Sequence, residues 1–405
     1  MSNLGLPGPP GPNEGSQEVE EGWVVEPTTE NIRKTLKKRY PGSDIVVEFF
    51  SEGAYNKLYQ ITINIHTTYL LRVSLPVDPI YKTMSEVATL EFVATISDIP
   101  IPMPVLFDST RHSPIGLEWI MMTKLDGATL HNIWPRLEFV QKAYVVRRIA
   151  LFQLSLFQRR FWRIGNLYRE SPLQPERIVS IPFFQGRRAW IVNNRGPFPN
   201  SKQWIYARLH LQRRDAAHIR MKYRTQNGNG PLTREDFDRA GRTLELASRL
   251  YPFIALLFPG NGNTFEQTVL HHDDLHANNI LANDSGIVTG VVDWECVSAL
   301  PLWKACFYPK FLYAPPRHTP EEDPLQDPDL LAVQDRFLRA VFLQEMELQS
   351  PEWMHIYRTS VRQRDLNFAV DKIGNEDKQS QIEAWLTNLE RGQAEPSLLD
   401  TTFGL

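Results

Sequence analysis

The sequence predicts an α+β fold in two lobes: a small antiparallel sheet carrying one helix, then a larger and mostly helical part. Three observations predict it. Residues 44–125 hold several strand-like apolar runs around one helical stretch. From about Leu137 the apolar spacing is almost wholly helical. The change of pattern falls at Asp126-Gly127, a turn signal.

Residues 1–27 are rich in Pro, Gly and Glu, cannot bury a core, and are expected to be disordered. Residues 28–126 form the first lobe. Thr28 or Thr29 caps a helix over "ENIRKTLKKRY". The runs "DIVVEFF", "LYQITINI" and "TYLLRVSL" read as strands, with Ile61, Ile63 and Ile65 alternating onto one face. "KTMSEVATLEFVATIS" is helical, with Met84, Val87, Leu90 and Val93 three residues apart. "LEWIMMTKL" is a further strand. Residues 127–320 form the second lobe. They open on a helix from about Leu137 to Phe161, followed by an irregular insertion over 165–200. A helix from Thr233 follows, with Asp236 as its capping-box partner. Two short apolar runs, "TVL" and "GIVTGVVDW", then interrupt the helical pattern. Helices fill 321–392, and 393–405 is a tail.

The composition is that of a globular protein, 42% hydrophobic and 22% charged with a formal net charge of −3. A nucleic-acid binder would show a basic face, so that class is excluded. No apolar run reaches the roughly 18–20 residues a membrane helix needs. Two cysteines, Cys296 and Cys306, imply no disulfide framework. The first residues have neither the basic and apolar regions of a secretory signal nor the arginines of a mitochondrial one, so the cytoplasm is the expected compartment.

The chemistry concentrates in "HHDDLHANN" at 271–279, with "VVDWE" at 291–295. A zinc site could use His272 and His276, four residues apart, but a zinc protease needs Glu where Asp273 stands. A polar turn between two buried strands is the bland alternative. The pattern H-x-D-x-x-x-x-N followed by a strand-borne Asp is what phosphoryl transfer from ATP asks of a kinase-type site. One carboxylate must take or orient the proton of the attacking hydroxyl. An amide oxygen and a second carboxylate must hold Mg²⁺, a cation that prefers hard oxygen ligands. The register fits either aspartate, since Asp273 also has His two before and Asn five after. The apolar Leu275 and Ile280-Leu281 select Asp274 as the base.

At these residues the chain resembles the aminoglycoside phosphotransferase family, whose kinase-like fold is shared with choline kinases. "HDDLHANNIL" at 272–281 and "VVDWE" at 291–295 carry the resemblance, supported by 70–110 and by the hinge "IGLEWIMMTKLDGATL" at 115–130. It covers roughly residues 45–310. It implies a two-lobed protein-kinase-like fold, ATP and Mg²⁺ as cofactors, Asp274 as catalytic base, and Asn279 and Asp293 as metal ligands. Arg72 stands where a kinase lysine would meet the phosphates, with Glu86 as its partner. Gly53, Asn56 and Tyr59 mark the phosphate-covering loop 51–59, Met122 and Lys124 border the adenine, and Glu295 lies in the outer metal shell. The loop has one glycine, and Arg replaces Lys, a change that keeps charge but not shape. An exposed Arg72 contributes little to stability, so Arg72→Ala is expected to weaken catalysis more than folding.

The resemblance implies a kinase acting on a hydroxyl of a small molecule. Asp273 stands where regulated protein kinases carry Arg, and no F-G pair follows Asp293, which disfavours a protein acceptor. A protein-kinase-like enzyme and a non-catalytic nucleotide-binding scaffold stay open as alternatives. The insertion 165–200 and the helices to 260 are expected to build the acceptor pocket. Their basic runs "QGRRAW", "HLQRRD" and "IRMKYR" speak against a polycationic acceptor.

Overall fold

The computed structural model describes residues 25–65, 67–169, 174–185, 188, 191–227, 230–260, 264–316, 327–393 and 396–405. Residues 1–24, nearly all of the segment expected to be disordered, lie outside that range.

Helix α1 (Thr29–Lys37) starts where Thr28 accepts a bond from Asn31 N and buries Ile32 and Leu36 completely. Strands β1 (Ile45–Glu52), β2 (Asn56–Ile63) and β3 (Thr67–Ser74), helix α2 (Tyr81–Ile96), and strands β4 (Pro104–Asp108) and β5 (Glu118–Thr123) follow. They make one antiparallel sheet in the order β1-β2-β3-β5-β4. The period-two pattern divides the sheet into two faces. One, with Tyr59, Ile61, Leu71 and Met121, packs with Ile32 and Leu36 of α1. The other carries Leu58, Arg72 and Ile120 side by side, because those residues are cross-strand partners.

Two features of this lobe depart from the sequence reading. Ile65 is not a strand residue: it is 81% exposed, with Asn64 and Ile65 at φ 51° and 67° in the β2–β3 turn. Asn64 earns the turn its shape by accepting from Asp44 N with its side chain (3.0 Å). The segment between α2 and β5, which the sequence reading left without a strand, contains an edge strand, β4, with Pro104 at its first position, where no N–H is demanded.

The second lobe runs through β6 (Ala128–Thr129), α3 (Leu130–Ile133), α4 (Phe139–Phe157), α5 (Ile181–Phe184), α6 (Ser201–Thr225) and α7 (Arg234–Leu257). Then come β7 (Thr268–His271), β8 (Ile280–Ala282), β9 (Val288–Val291), β10 (Ser298–Pro301), α8 (Leu302–Ala305) and α9 (Lys310–Tyr313). The chain ends in α10 (Pro328–Gln349), α11 (Pro351–Thr359), α12 (Val361–Lys372), α13 (Glu376–Glu390) and α14 (Leu398–Phe403). The Thr233–Asp236 capping box starts α7 as the sequence predicts. Strands β6-β8-β9 form one small sheet and β10-β7 another. One core joins α4 and α10 to these strands; a second joins α6 and α7 to α12 and α13. On α6, Arg208 bonds Asn367 and Asp371 of α12, while within the basic runs Arg214 donates to Val192 O (2.8 Å) and Arg220 and Arg224 lie over Phe237. Arg188 is held by Asp215 and Gln212. Among the described residues no helix is long and apolar enough to cross a membrane.

Candidate active site

Strand β7 is fully buried and pairs with β10, so the chain leaves it at His271 from a rigid floor. The next residue, His272, is 6% exposed and lies edge-on to Trp294, ring centres 5.1 Å apart. Its Nε2 is 3.1 Å from the Val292 carbonyl, which can only accept, so Nε2 carries the proton. Burial pushes the His272 imidazole down to about 4, so it is neutral near pH 7. His272 is a strut between the loop and the Asp293 segment.

Residues 277–279 close the loop as a single 3₁₀ turn, capped when His276 Nδ1 accepts from Asn278 N (3.1 Å). Asn279 then ties three pieces together. Its Nδ2 donates to the Asp274 carbonyl (2.9 Å), and its own carbonyl accepts from Val292 N (2.9 Å). Asp274, Asn279 and Val292, the residue before Asp293, are thereby adjacent although eighteen residues lie between Asp274 and Asp293.

The two neighbouring aspartates have different surroundings. Asp273 points to α8, where Lys304 Nζ is 2.6 Å away and His271 Nε2 3.5 Å. Packing against the loop works to raise its carboxyl although the side chain is 55% exposed, and Lys304 and His271 hold it well below the usual carboxylate range. Asp274 is half-buried and meets Lys310 Nζ at 2.7 Å, with His276 Nε2 at 3.6 Å. Each aspartate has its own lysine, and the two lysines come from different short helices.

Asp293 follows β9 with φ 62°, a left-handed conformation that Asp tolerates better than most residues. Facing it across the lobes is a buried charge cluster. Arg72 on β3 pairs with Glu86 on α2, the side chains 6% and 2% exposed. Arg72 Nη1 also lies 3.5 Å from Glu295 and 3.9 Å from Asp293. Lys82, in the first turn of α2, is 2% exposed with Nζ 2.8 Å from Glu295. Asn56 donates to Glu295 (2.8 Å) and accepts from Ser74 (2.8 Å), which ties the β1–β2 turn down onto Glu295. Burial opposes ionisation of Glu295, yet Lys82 and Arg72 hold it down to about 2. Burial and the Glu295 charge instead push Asp293 up to about 7.

The cluster thus has three carboxylates, Glu86, Asp293 and Glu295, against two cations, Arg72 and Lys82. The surplus negative charge sits at Asp293, beside Asn279, whose amide nitrogen is committed to Asp274 and whose oxygen is left to accept. A hard divalent cation fits this pair. Among the described residues no three His, Cys, Asp or Glu side chains converge as a metal cage, so such an ion would complete its shell with water and phosphate oxygens.

The structure corrects several expectations. Tyr59 does not face the cleft. It alternates onto the α1 side of β2, is 3% exposed, and its hydroxyl donates to Pro27 O (2.9 Å). Tyr59→Phe should lower stability by about 1 kcal/mol in a denaturant titration and leave nucleotide affinity unchanged; a loss of affinity would restore it to the site. The loop 51–59 is only the turn 53–55, and an added Cβ at Gly53 would meet nothing nearer than 4.0 Å, so no close approach demands glycine there. Met122 is on the cleft face, 7% exposed in a small cluster with Val87 and Ile120. Lys124 is exposed at the hinge, donating to Gln60 (2.6 Å) with Phe50 beneath it. Arg72 is not an exposed ion pair. Removing it strands the buried Glu86, so Arg72→Ala should cost about 3–5 kcal/mol of folding free energy, read from the unfolding midpoint. A change under about 1 kcal/mol would mean the pair is solvated.

Lys82, Lys304 and Lys310 were missed by sequence reasoning. Lys310 lies 36 residues beyond Asp274, and only the fold of β10, α8 and α9 brings it there. Lys82 had one available signal, its place four residues before Glu86 on the same helix face.

The model of the APH phosphotransferase enzyme family matches residues 46–303, more than half of the chain. A subtelomeric hrmA-associated cluster protein of Aspergillus fumigatus is 24% identical over 306 residues, 65% of this chain and 60% of that protein. The chain therefore spans about 60% of the length of the first curated relatives it matches. Altered inheritance of mitochondria protein 9 of Saccharomyces cerevisiae is 24% identical over 156 residues, 35% of this chain and 25% of that protein. Among solved structures, the aminoglycoside phosphotransferase APH(4)-Ia is similar at 14% identity and a TM-score of 0.46, covering 91% of this chain and 100% of its own. A putative aminoglycoside phosphotransferase of Ralstonia eutropha is similar at 11% identity and a TM-score of 0.45, covering 93% and 94%.

Proposed function

The chain belongs to the phosphotransferase enzyme family, and from that premise we propose that it is an ATP-dependent kinase transferring the γ-phosphate to a hydroxyl of a small molecule. The observation that carries this reading is the double tie made by Asn279, to the Asp274 carbonyl and to Val292 N, the residue before Asp293, which draws the Asp274 loop and the Asp293 segment together. In this reading Asp274 orients the acceptor hydroxyl and takes its proton as the oxygen attacks phosphorus. Lys310, against the same carboxylate, keeps a positive charge beside the transferring group. Asn279 and Asp293 would hold Mg²⁺, which when bound neutralises phosphate charge that builds up toward the leaving group. Arg72, clamped by Glu86, holds its Nη1 3.5 Å from Glu295 and 3.9 Å from Asp293, so its charge lies beside the metal position.

A small acceptor is supported by the segment after Asp293. Trp303, Ala305, Cys306, Phe311 and Leu312 are buried, so residues 298–313 pack as β10, α8 and α9, and among the described residues up to 316 this stretch holds no long surface loop of the kind that docks a peptide. The experiment is ADP release by the purified chain with Mg-ATP and a panel of small alcohols, including sugars, amino alcohols and hydroxy acids. Acceptor-dependent ADP formation that requires Mg²⁺ or Mn²⁺ is the expected result. Failure to bind ATP, or activity that follows stoichiometric zinc, would overturn it.

A further inference from the structure

We propose that Asn166 is a positioning residue that holds α2, and with it the Glu86–Arg72 pair, in register with the Asp293 segment. It makes the described residues of the insertion 165–200 an interlobe strap. The proposal rests on the kinase reading above, because it assigns Asn166 a role only through a pair that serves nucleotide.

Asn166 is 0% exposed and uses its whole hydrogen-bonding capacity. Its Nδ2 donates to Ser85 Oγ (2.9 Å) and to the Val297 carbonyl (3.0 Å). Its Oδ1 accepts from Val179 N (2.8 Å) and Ser298 Oγ (2.8 Å). The backbone partners fix which way the amide faces, since Val297 O can only accept and Val179 N can only donate. No other side chain of this size supplies both roles, and aspartate would set an acceptor against a carbonyl. Ser85 immediately precedes Glu86, while Val297 and Ser298 follow Glu295 within three residues. One side chain therefore bridges the two elements that must agree for Arg72, Glu86 and Asp293 to meet.

The strap around it is anchored at both ends. Gly165 and Ala299 exchange backbone bonds at 3.2 and 2.7 Å, and Glu176 N donates to Asn166 O (2.9 Å). A Cβ on Gly165 would collide with the Glu176 carbonyl, so this crossing admits only glycine. At the other end Asp78, just before α2, is 5% exposed and meets Arg177 (2.9 Å) and Arg195 (3.4 Å), both from the strap. Nearby, Ile80 enters α2 at φ 70°, a conformation a β-branched residue keeps only where its surroundings impose it.

The test is a double-mutant cycle on Mg-ATP affinity, measured by calorimetry on wild type, Asn166→Ala, Glu86→Gln and the double variant. Asn166→Ala is expected to weaken binding about tenfold in the wild-type background and by less than about twofold where Glu86→Gln is already present. Ser85→Ala, which removes only the α2 leg of the bridge and folds whether or not Asn166→Ala does, should show the same background dependence with a smaller loss. Equal losses in both backgrounds would mean Asn166 acts independently of the Glu86–Arg72 pair and would overturn the proposal, as would a Ser85→Ala variant with unchanged affinity. If the wild type binds no Mg-ATP, the kinase reading fails, and the positioning role with it.

Discussion

Asp274→Asn is expected to cut phosphate transfer by about 10²–10⁴-fold, the usual contribution of a positioned general base. Mg-ATP affinity should stay within about twofold, since Asp274 touches Lys310 and His276 and neither metal candidate with its carboxylate. The substitution keeps shape, and the Asp274 carbonyl that receives Asn279 belongs to the backbone and is untouched. The ion pair it breaks is partly solvated, with side chains 45% and 40% exposed, so folding should change by no more than about 1 kcal/mol. Asp273→Asn is the internal control. Its carboxylate is turned to Lys304 and His271, off the line between Asp293 and any acceptor beside Asp274, and turnover should fall less than about tenfold. Single-turnover rates and nucleotide titrations on the two variants decide the register. A merely tenfold loss at Asp274, or a larger loss at Asp273, would require the catalytic loop to be reassigned.

Why the candidate loop stands out in the sequence is a matter of range. His272, Asp274 and Asn279 lie within eight residues, and the turn that joins them closes on itself through His276 and Asn278. Asp293 comes two residues after the adjacent strand β9, so a local pattern encodes most of the site. The sheet was legible for the same reason: β1, β2 and β3 are neighbours in sequence and in space. What was illegible depends on distant contacts. The face that Tyr59 takes follows from α1 covering one side of the sheet, and strand alternation alone gives two equal choices. Lys310 reaches Asp274 through the path of β10, α8 and α9, and Asn166 reaches Ser85 across 81 residues. Arg72 could be read as a phosphate ligand, but its burial could not, and burial is what reverses the expected order of catalytic and folding losses. Short apolar strands such as β10, four residues ending in Pro301, carry too few positions for a period to show.

Asp293→Asn should abolish both turnover and tight Mg-ATP binding, and yet make the ligand-free protein more stable at alkaline pH. The first half follows from charge. The variant keeps an oxygen at the same place but leaves Glu86 and Glu295 exactly balanced by Arg72 and Lys82 in sign, with no surplus negative charge to attract a divalent cation. Backbone strain does not confuse the comparison, because asparagine also accepts the left-handed conformation at φ 62°. The second half follows from linkage. Burial and the Glu295 charge raise the folded Asp293 carboxyl to about 7, against about 4 in an unfolded chain. A carboxyl raised in the folded state contributes its stability below the unfolded value and loses it as pH rises through about 7. Above that pH the wild type carries an ionised Asp293 that the fold disfavours, and asparagine removes the burden. The side chain is 38% exposed, so solvent moderates the effect without changing its sign. Thermal melts of chelator-treated wild type and variant should therefore diverge in favour of the variant at pH 8 and converge toward pH 4. Nucleotide titrations with Mg²⁺ at pH 8 should show the opposite ranking. A variant less stable than wild type at pH 8, or one that still binds Mg-ATP as the wild type does, would remove Asp293 from the metal position and the surplus charge from the argument.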